Sequence, residues 1–334
     1  NSARVLSVKR FGMEEKMKAA VLKSAEYLEI EEVPVPRIEE NEMLIRMLAC
    51  GTCLSEYPDW KKGESTGRIL GHEPVGIVEK TGSGIRKFKP GDRVTGLFKN
   101  CFAEYAVSTE DLALAVPECL TDEEAIGEPW SCLVSGAQRT DVKIGDTAAV
   151  VGCGYMGLGF MQLLRLKGAA RIIAVDVRKE SLKLAKDFGA DEVYLPDELP
   201  DRYIVDEWND EMFIRGVDVA AEVTGGAAGL ELAGKMVRPH GVLSVVGFHQ
   251  SGGRREIDMK LWNWKAITVI NAHERRNMMQ MEFMRQALTM FENRKIDVKP
   301  MMTHEYPLEE INTAFREMKE KPEGYIKGYV RIGK

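Results

Sequence analysis

Two different patterns of apolar and polar residues divide the chain. Over about the first 125 residues, short stretches alternate apolar and polar side chains between turns, and Pro34 and Pro36 interrupt one of them. This period of two is typical of β-strands. From about residue 122, apolar runs of strand length alternate with helical stretches at the spacing of βαβ units. The second pattern predicts strands at 147–151, 171–176, 192–195, 217–223, 241–247 and 267–271.

These patterns predict an α/β protein built from two units. Six strands with intervening helices match a doubly wound parallel sheet, which we assign to residues 131–274. A mostly β unit takes residues 1–130 and 275–334, and its last part carries helices at 278–291 and 307–319 and a closing strand at 325–332. In the helix at 278–291, four apolar side chains share one face, which indicates core packing rather than a methionine site. They are Met281, Met284, Leu288 and Phe291.

Residues 147–176 combine a strand, a glycine turn, a helix and a second strand in one unit. Gly152, Gly154 and Gly157 form G-x-G-x-x-G directly after the first apolar run, and Asp176 ends the second. In a Rossmann-type fold, these glycines allow a sharp turn, close approach of a pyrophosphate and tight packing of the helix on the sheet. The free N–H groups at the helix start face the anion. Because the Asp176 carboxylate is placed to accept hydrogen bonds from an adenosine ribose, the unit predicts a dinucleotide site.

Two other interpretations of this stretch are weaker. The glycines alone would fit a packing turn. Residues 147–164 carry no charge and approach the roughly 18 residues at which a membrane span becomes a candidate. Four glycines and a strand-like first half argue against a span.

Composition narrows the possible partners and settings. A net charge of −6 without a basic block argues against nucleic acid and anionic membranes as partners. The cysteines, at 50, 53, 101, 119, 132 and 153, are scattered and form no disulfide framework, so we expect a reduced, cytoplasmic setting. A chain of 334 residues builds a core large enough to need neither disulfides nor metals for stability. The first 16 or so residues have no apolar signal region and are interpreted as a polar extension or an expression remnant.

A second set of chemically informative residues lies outside the dinucleotide unit: Cys53, His72, Glu73 and Glu128. Thiolate, imidazole and carboxylate ligands suit Zn²⁺ at a site that keeps one position open. No two of them have zinc-finger spacing, so a buried cysteine, a loop histidine and solvated carboxylates stay open as alternatives. Neighbouring side chains of a regular strand point to opposite faces, so His72 and Glu73 share one ion only where the backbone is irregular. Cys50 and Cys53 form C-x-x-C, for which a redox pair is a weaker interpretation than core packing of Cys50.

Together these motifs resemble the zinc-containing medium-chain dehydrogenase/reductase family, which includes alcohol, sorbitol and threonine dehydrogenases. The resemblance extends from Met17 to the end of the chain. It rests on GTCLS at 51–55, GHEPVG at 71–76, PGDRV at 90–94, EPWS at 128–131 and the glycine motif. It implies a GroES-like catalytic unit beside the Rossmann-type unit, and hydride transfer between an alcohol carbon and a nicotinamide cofactor.

The resemblance also assigns roles to the metal-binding candidates. Cys53, His72 and Glu73 are zinc ligands by this comparison, and Glu128 is a ligand or acts through a bound water. Zinc serves as a Lewis acid on the substrate oxygen. Ser55 passes on the hydroxyl proton. The predicted catalytic side chains are therefore Ser55 and the two carboxylates, Glu73 and Glu128.

The chain departs from the family at two places. Residues 94–105 run straight from one strand to the next, so the lobe with four cysteines that holds a structural zinc is missing, and we expect a single zinc ion. Glu56, Tyr57 and Pro58 follow Ser55 where the family often has aspartate, any residue and histidine. The outer step of the proton relay is therefore open, with a cofactor ribose hydroxyl, water or one of the two site carboxylates as the replacement.

Predicted cofactor contacts come from the glycine motif and, by the resemblance, from segments at the carboxyl edge of the sheet. They are Gly152, Gly154, Tyr155, Met156, Gly157, Asp176, Val177, Arg178, Val223, Thr224, Gly247, Phe248, Asn271 and Lys327. Lys327 matches a basic residue near the pyrophosphate, although a solvated charge is equally open. Asn271 and His273 either shape the pocket or form a hydrogen-bonded turn. Asp176 favours NAD because a carboxylate repels the 2′-phosphate of NADP, whereas Arg178 is able to accept that phosphate.

The EPWS segment and the ligand set favour a polar secondary alcohol as substrate, such as a polyol, a sugar alcohol or an amino alcohol. Tyr57, Trp60, Phe248 and His273 are expected to line a polar pocket. A zinc-free quinone or enoyl reductase, or a non-catalytic dinucleotide-binding protein, are the alternatives. The metal ligands argue against the former, and Ser55 beside Cys53 argues against the latter. The resemblance further implies a homodimer or homotetramer formed through the edge strand at 267–271.

Overall fold

The computed structural model describes residues 15–64, 66–249 and 253–333. Most of the polar segment at the start of the sequence therefore lies outside the described residues. Within them, the chain forms a two-stranded sheet, a seven-stranded mixed sheet and a six-stranded parallel sheet.

The first part of the chain is mostly β, as the alternating pattern predicts. Its elements are β1 (Lys16–Ser24), β2 (Tyr27–Pro34), β3 (Glu42–Gly51), α1 (Tyr57–Lys62), β4 (Glu73–Thr81), β5 (Arg93–Gly96), β6 (Tyr105–Thr109) and β7 (Ala113–Ala115). β3 pairs antiparallel with β4 and with β6. The carboxyl end of β3 leads into the segment that carries Cys53.

The middle of the chain alternates helices and strands. Its elements are α2 (Glu128–Arg139), β8 (Thr147–Val151), α3 (Tyr155–Lys167), β9 (Arg171–Val175), α4 (Lys179–Asp187), β10 (Glu192–Tyr194), β11 (Val217–Glu222), α5 (Ala227–Met236), β12 (Val237–Val245), α6 (Met259–Lys265) and β13 (Thr268–Asn271). The strand order is β10-β9-β8-β11-β12-β13, and every pair is parallel. This confirms the predicted doubly wound sheet; only β12 differs appreciably, since it begins four residues before the predicted 241.

The last part of the chain returns to the mixed sheet. Its elements are α7 (Asn277–Glu292), β14 (Met302–Pro307), α8 (Ile311–Glu320) and β15 (Lys327–Arg331). β15 pairs antiparallel with the end of β3, through Tyr329 and Gly51, and parallel with β14. Residues far apart in sequence are thereby placed next to Cys53.

One apolar core connects the seven-stranded mixed sheet and the six-stranded parallel sheet. It contains buried residues of β3 and β4, such as Leu48 and Val75, together with residues of α2, α3 and α7. The four apolar residues predicted to share one face of α7, from Met281 to Phe291, are all buried in the structure. Helix α3 spans 13 residues after the strand β8, and within the described residues no helix is long and apolar enough to cross a membrane.

Candidate metal and dinucleotide site

Three of the predicted metal ligands lie together in the structure. One ligand atom from each of Cys53, His72 and Glu73 lies within 4.8 Å of the other two. Sulfur, nitrogen and oxygen ligands at this spacing are able to surround one Zn²⁺ ion after small side-chain adjustments. Among the described residues, this is the one group of three such side chains that meets the distance limit.

The backbone before β4 explains how neighbouring residues reach the same point. Strand β4 begins at Glu73, whereas His72 lies in the irregular segment that precedes it. The alternation of side chains along a strand therefore does not apply to this pair.

The orientation of His72 is set by Glu56. Glu56 Oε1 lies 3.1 Å from His72 Nδ1 and accepts the Gly71 N–H at 2.7 Å. Because Nδ1 faces this carboxylate, Nε2 is the nitrogen that faces the cluster, and its distance from Ser55 Oγ is 3.5 Å. Burial alone lowers the pKa of His72, but the Cys53 and Glu56 side chains raise it well above its usual value. The carboxylate therefore supports the imidazole from outside the ligand set.

Ser55 lies beside the thiol of Cys53. Its hydroxyl donates to Cys53 Sγ at 3.2 Å, and the residue is exposed to solvent. A hydroxyl so placed contacts the ligand cluster on one side and water on the other.

Lys327 contacts Glu73, and it is not a solvated surface charge. Its Nζ lies 2.6 Å from Glu73 Oε2, donates to the Thr52 carbonyl at 2.8 Å and lies 5.0 Å from the centre of the Tyr155 ring. Burial lowers the pKa of Lys327, but the charges of Glu73 and Cys53 raise it above its usual value, so the side chain is an ammonium ion. Tyr155 is the first residue of α3 and accepts a hydrogen bond from Trp130 Nε1 at 2.8 Å. Lys327 thus lies between a candidate metal ligand and the start of the glycine-motif helix.

Glu128 lies near this cluster without being part of it. It is the first residue of α2 and is half-buried. Burial and the negative charge of Glu73 raise the pKa of Glu128 to about 7, whereas the charges of His72 and Lys327 lower it. The structure therefore places Glu128 within electrostatic range of the ligands, outside the group of three.

The acidic run before Glu128 is bound by arginines. Arg93 and Arg331 contact Asp122 at 3.1 and 3.2 Å, and Arg294 contacts Glu124 at 2.9 Å. These arginines come from β5, β15 and the segment after α7. Several parts of the chain therefore hold the segment that leads into Glu128.

The cysteines near the site differ in environment. Cys50 is fully buried in the core of the mixed sheet together with Cys101, which agrees with the preferred interpretation of the C-x-x-C spacing. Cys132, one turn after Glu128 on α2, is half-buried, and burial and the Glu128 charge raise its pKa to about 12. Cys53 is therefore the thiol that takes part in the candidate metal site.

The glycine motif forms the turn between β8 and α3. Gly152 has a φ of +97°, which disfavours other residues. A Cβ on Gly157 would lie 1.8 Å from the Gly152 carbonyl oxygen, so α3 packs directly on the turn. A Cβ on Gly154 would meet no atom of the described residues within 4 Å, which leaves open space in front of the helix N-terminus among them. This is the arrangement expected for an approaching pyrophosphate.

Asp176 follows β9 beside this turn. Its Oδ2 accepts the Cys153 N–H at 2.6 Å and its Oδ1 accepts the Arg178 N–H at 2.8 Å. The Arg178 guanidinium is bound to Glu180 at 2.9 Å. Val177, which lies between Asp176 and Arg178 in the sequence, is 76 % exposed. The carboxylate is therefore fixed at the edge of the sheet while the arginine is directed to another acid.

The other predicted cofactor segments meet at the carboxyl edge of the same sheet. Thr224 follows β11, Gly247 and Phe248 follow β12, and Asn271 ends β13. The Phe248 ring lies 5.5 Å from the His273 ring and is 47 % exposed. Val223 and Met156 are partly buried and pack against the core next to these loops.

Trp60 does not line a pocket, and that prediction is wrong. Its indole is buried, stacks on Phe315 at 5.5 Å and donates to Asn312 Oδ1 at 3.2 Å. An amphipathic short helix buries one face, and Trp60 occupies that face of α1.

Comparison with known proteins gives consistent matches to both parts of the chain. Residues 39–118 match the family described as alcohol dehydrogenase GroES-like domain, and residues 156–293 match the one described as zinc-binding dehydrogenase. Sorbitol dehydrogenase of Bacillus subtilis (strain 168) is 32% identical over 69% of this chain and 75% of its own length. NADP-dependent isopropanol dehydrogenase of Clostridium beijerinckii is 29% identical, over 86% of this chain and 92% of its own length. The solved alcohol dehydrogenase from Thermus sp. ATN1 superposes with a TM-score of 0.81 at 25% identity, covering 95% of this chain and 100% of that one.

These matches and the fold together define the class of protein to which the chain belongs. The chain belongs to the zinc-dependent medium-chain dehydrogenase/reductase family. It is an oxidoreductase of the alcohol dehydrogenase type that acts on a small molecule.

Proposed function

We propose that the protein is a zinc-dependent, NAD(H)-linked dehydrogenase that interconverts a polar secondary alcohol and its ketone. The observation that carries this proposal is the cluster of Cys53, His72 and Glu73 ligand atoms within 4.8 Å, with the Ser55 hydroxyl in contact with it. A quinone or enoyl reductase that lacks a metal has no use for this set of side chains.

The donor set fits one zinc ion. Cys53, His72 through Nε2, and Glu73 or Glu128 would hold it, and the ion when bound supplies Lewis-acid stabilisation of an alkoxide. Glu56 keeps the His72 ring in the orientation that directs Nε2 toward the cluster. Lys327 neutralises Glu73 when that carboxylate is not bound to the ion.

Proton transfer is assigned to Ser55. Its hydroxyl accepts the proton of the substrate hydroxyl as its own proton moves outward, and solvent is directly accessible there. Glu56, at the position of the usual aspartate, contacts His72 and Gly71 through Oε1, and its Oε2 is buried, so this carboxylate is closed to solvent. We propose that a water molecule at the exposed Ser55 takes the place of the histidine that Pro58 displaces.

A polar residue at the carboxyl edge of the parallel sheet and the names of the relatives support the proposed substrate class. His273 lies at the carboxyl edge, and burial together with the Arg275 charge lowers its pKa, so its ring is neutral and able both to donate and to accept hydrogen bonds. The names of the relatives include a polyol, sorbitol, and a secondary alcohol, isopropanol. We therefore propose a polyol, sugar alcohol or amino alcohol as substrate. Separately, we propose a homodimer or homotetramer formed through β13.

Two substitutions at neighbouring positions test the metal and proton-transfer roles separately. We expect Cys53→Ser to lose bound zinc and alcohol oxidation together. We expect Ser55→Ala to keep its zinc and to lose about 10²-fold or more in kcat, the contribution typical of a positioned proton acceptor. Zinc is measured by elemental analysis and activity by reduction of the cofactor with a panel of polyols and simple alcohols. The exposed Cys119→Ser is the matched control. Full activity without zinc would instead support a zinc-free reductase.

Cofactor preference tests the role of Asp176. We expect kcat/KM to be higher with NAD than with NADP, because the fixed carboxylate repels a 2′-phosphate. Asp176→Ser should reduce or reverse this preference by roughly tenfold or more, since one like-charge repulsion is removed. A wild-type enzyme that prefers NADP, like the isopropanol dehydrogenase relative by its name, would contradict the assignment.

A further inference from the structure

We propose that His249 is a positioning residue that holds the nicotinamide end of the dinucleotide site in its binding conformation by fixing the buried carboxylate of Glu222. The inference rests on the proposed function, because it takes the carboxyl edge of the parallel sheet as the place where the nicotinamide binds.

Glu222 is a buried carboxylate that joins two loops. It is the last residue of β11 and has no solvent exposure. Its Oε1 accepts the N–H and the hydroxyl of Thr224, each at 2.6 Å, and the N–H of Gly225 at 2.8 Å. Its backbone carbonyl accepts the N–H groups of Val246 and Gly247 at 2.8 and 2.9 Å. One residue therefore determines the positions of the loops after β11 and after β12.

The second oxygen of the Glu222 carboxylate depends on His249. Glu222 Oε2 lies 3.0 Å from His249 Nε2. On the other side of the ring, Arg255 Nε donates to His249 Nδ1 at 3.1 Å. Because Nδ1 accepts a hydrogen bond, the proton of the ring is on Nε2, and His249 donates to Glu222. Hydrogen bonds to a charged, desolvated acceptor are among the stronger ones in proteins.

The two loops contact each other so closely that they share one conformation. A Cβ on Gly247 would lie 2.3 Å from the Gly225 nitrogen and 2.7 Å from Glu222 Oε2. A Cβ on Gly225 would lie 2.6 Å from the Phe248 carbonyl oxygen. A shift of the Glu222 carboxylate would therefore move Thr224, Gly247 and Phe248 together. These are predicted nicotinamide contacts, whereas the adenosine and pyrophosphate contacts lie on the other loops of the sheet.

Three substitutions of His249 separate the hydrogen bond from the size of the ring. His249→Gln keeps a donor close to the position of Nε2, whereas His249→Asn is polar but too short to place one there. His249→Leu removes the donor altogether. His240→Asn is the matched control, since His240 is exposed in the amino-terminal half of β12, and asparagine tolerates its φ of +59°.

Binding of NADH and of ADP-ribose, measured by titration calorimetry with the metal-loaded protein, tests the proposal. ADP-ribose contains the adenosine and the pyrophosphate but no nicotinamide. We expect His249→Leu and His249→Asn to weaken NADH binding about tenfold or more, the size of one charge-assisted hydrogen bond, while ADP-ribose binding changes by less than about twofold. His249→Gln and His240→Asn should bind both probes nearly as the wild type does.

The possible outcomes are distinguishable. Unchanged NADH affinity in His249→Asn, or an equal loss of affinity for both probes, would overturn the positioning role and leave the proposed function intact. A wild-type protein that binds neither probe would overturn the proposed function and this inference with it. If His249→Leu does not fold, the comparison of His249→Gln with His249→Asn still decides, because both carry polar amides.

Discussion

At the scale of single residues, the buried ion pair between Lys327 and Glu73 gives one of the candidate metal ligands a second binding partner. Glu73 Oε2 has the ammonium group 2.6 Å away, and both side chains are almost fully removed from water. Glu73 therefore has two possible partners, the lysine and a metal ion. Removing one partner of a buried ion pair typically costs about 3–5 kcal/mol, because the remaining charge is left without compensation.

This competition gives a prediction for Lys327→Met. Without metal, the variant should melt at a lower temperature than the wild type, since Glu73 is left unpaired. Added zinc should raise the melting temperature of the variant more than that of the wild type, because the free carboxylate becomes a ligand. Melting is followed by calorimetry with chelator and with zinc, and Lys235→Met, which loses a more exposed lysine paired with Glu231, is the control. An equal effect of zinc on both proteins would show that Glu73 does not respond to the metal.

At the scale of elements, the turn between β8 and α3 separates two functions of glycine. Gly157 allows the helix to contact the turn, whereas a side chain at Gly154 would contact none of the described residues. We expect Gly157→Ala to lower the thermal stability and to abolish dinucleotide binding. We expect Gly154→Ala, at a φ of −75° that alanine readily adopts, to keep the wild-type melting temperature and to weaken NADH binding at least tenfold.

Calorimetric melting and NADH titration of the two variants provide the measurement. If Gly154→Ala binds NADH as well as the wild type does, the pyrophosphate does not approach this turn, and the dinucleotide site has to be placed elsewhere.

The elements also show what the sequence can and cannot predict. The alternation of apolar runs and helical stretches places the six parallel strands and α7 to within a few residues, because burial on one or both faces requires those periods. The local motif at Cys53 and the one at His72 and Glu73 identify three ligand candidates. In contrast, the contact of Lys327 with Thr52 joins residues 275 positions apart, so no local sequence pattern predicts it.

The roles of Glu56 and His249 illustrate the same limit. The sequence shows Glu56 only as a departure from the usual aspartate, whereas the structure shows its carboxylate against His72 Nδ1. His249 follows a strand with no motif around it, so its contact with Glu222 depends on the order β11-β12 in the sheet. The sequence wrongly predicts a pocket position for Trp60, because an aromatic residue near Cys53 is equally compatible with the core.

At the scale of the whole molecule, Lys265 links stability to pH. This lysine has no solvent exposure, and its Nζ donates to the carbonyl oxygens of Val205 and Gly234 at 3.1 and 2.6 Å. Burial lowers its pKa to about 8. In the unfolded chain a lysine has a pKa of about 10.4. Between these two values the unfolded state binds more protons than the folded state, so the free energy of unfolding rises with pH.

We therefore expect the wild type to gain up to about 1–2 kcal/mol in unfolding free energy between pH 7.5 and 9.5, relative to Lys265→Met. The carbonyl oxygens of Val205 and Gly234 favour the charged lysine and so oppose the effect of burial on its pKa. The stated gain in unfolding free energy is therefore an upper limit. Urea unfolding at the two pH values provides the measurement. Lys235→Met, whose lysine titrates above this range, should keep the wild-type dependence. Identical pH dependence in the wild type and Lys265→Met would contradict the depressed pKa.

The pairing of β15 with the end of β3 has a consequence for synthesis of the protein. Ribosomes extend a chain at roughly 5–20 residues per second, so the 275 positions between Thr52 and Lys327 take about 15–55 s. Cys53, His72 and Glu73 are all synthesised long before Lys327, so for most of that interval Glu73 lacks its cation and the end of β3 lacks one neighbouring strand. An unpaired strand edge invites association with other chains. Every nascent copy therefore passes through a stage in which its metal-binding residues are present without the lysine that pairs with Glu73 and without the strand that covers the end of β3.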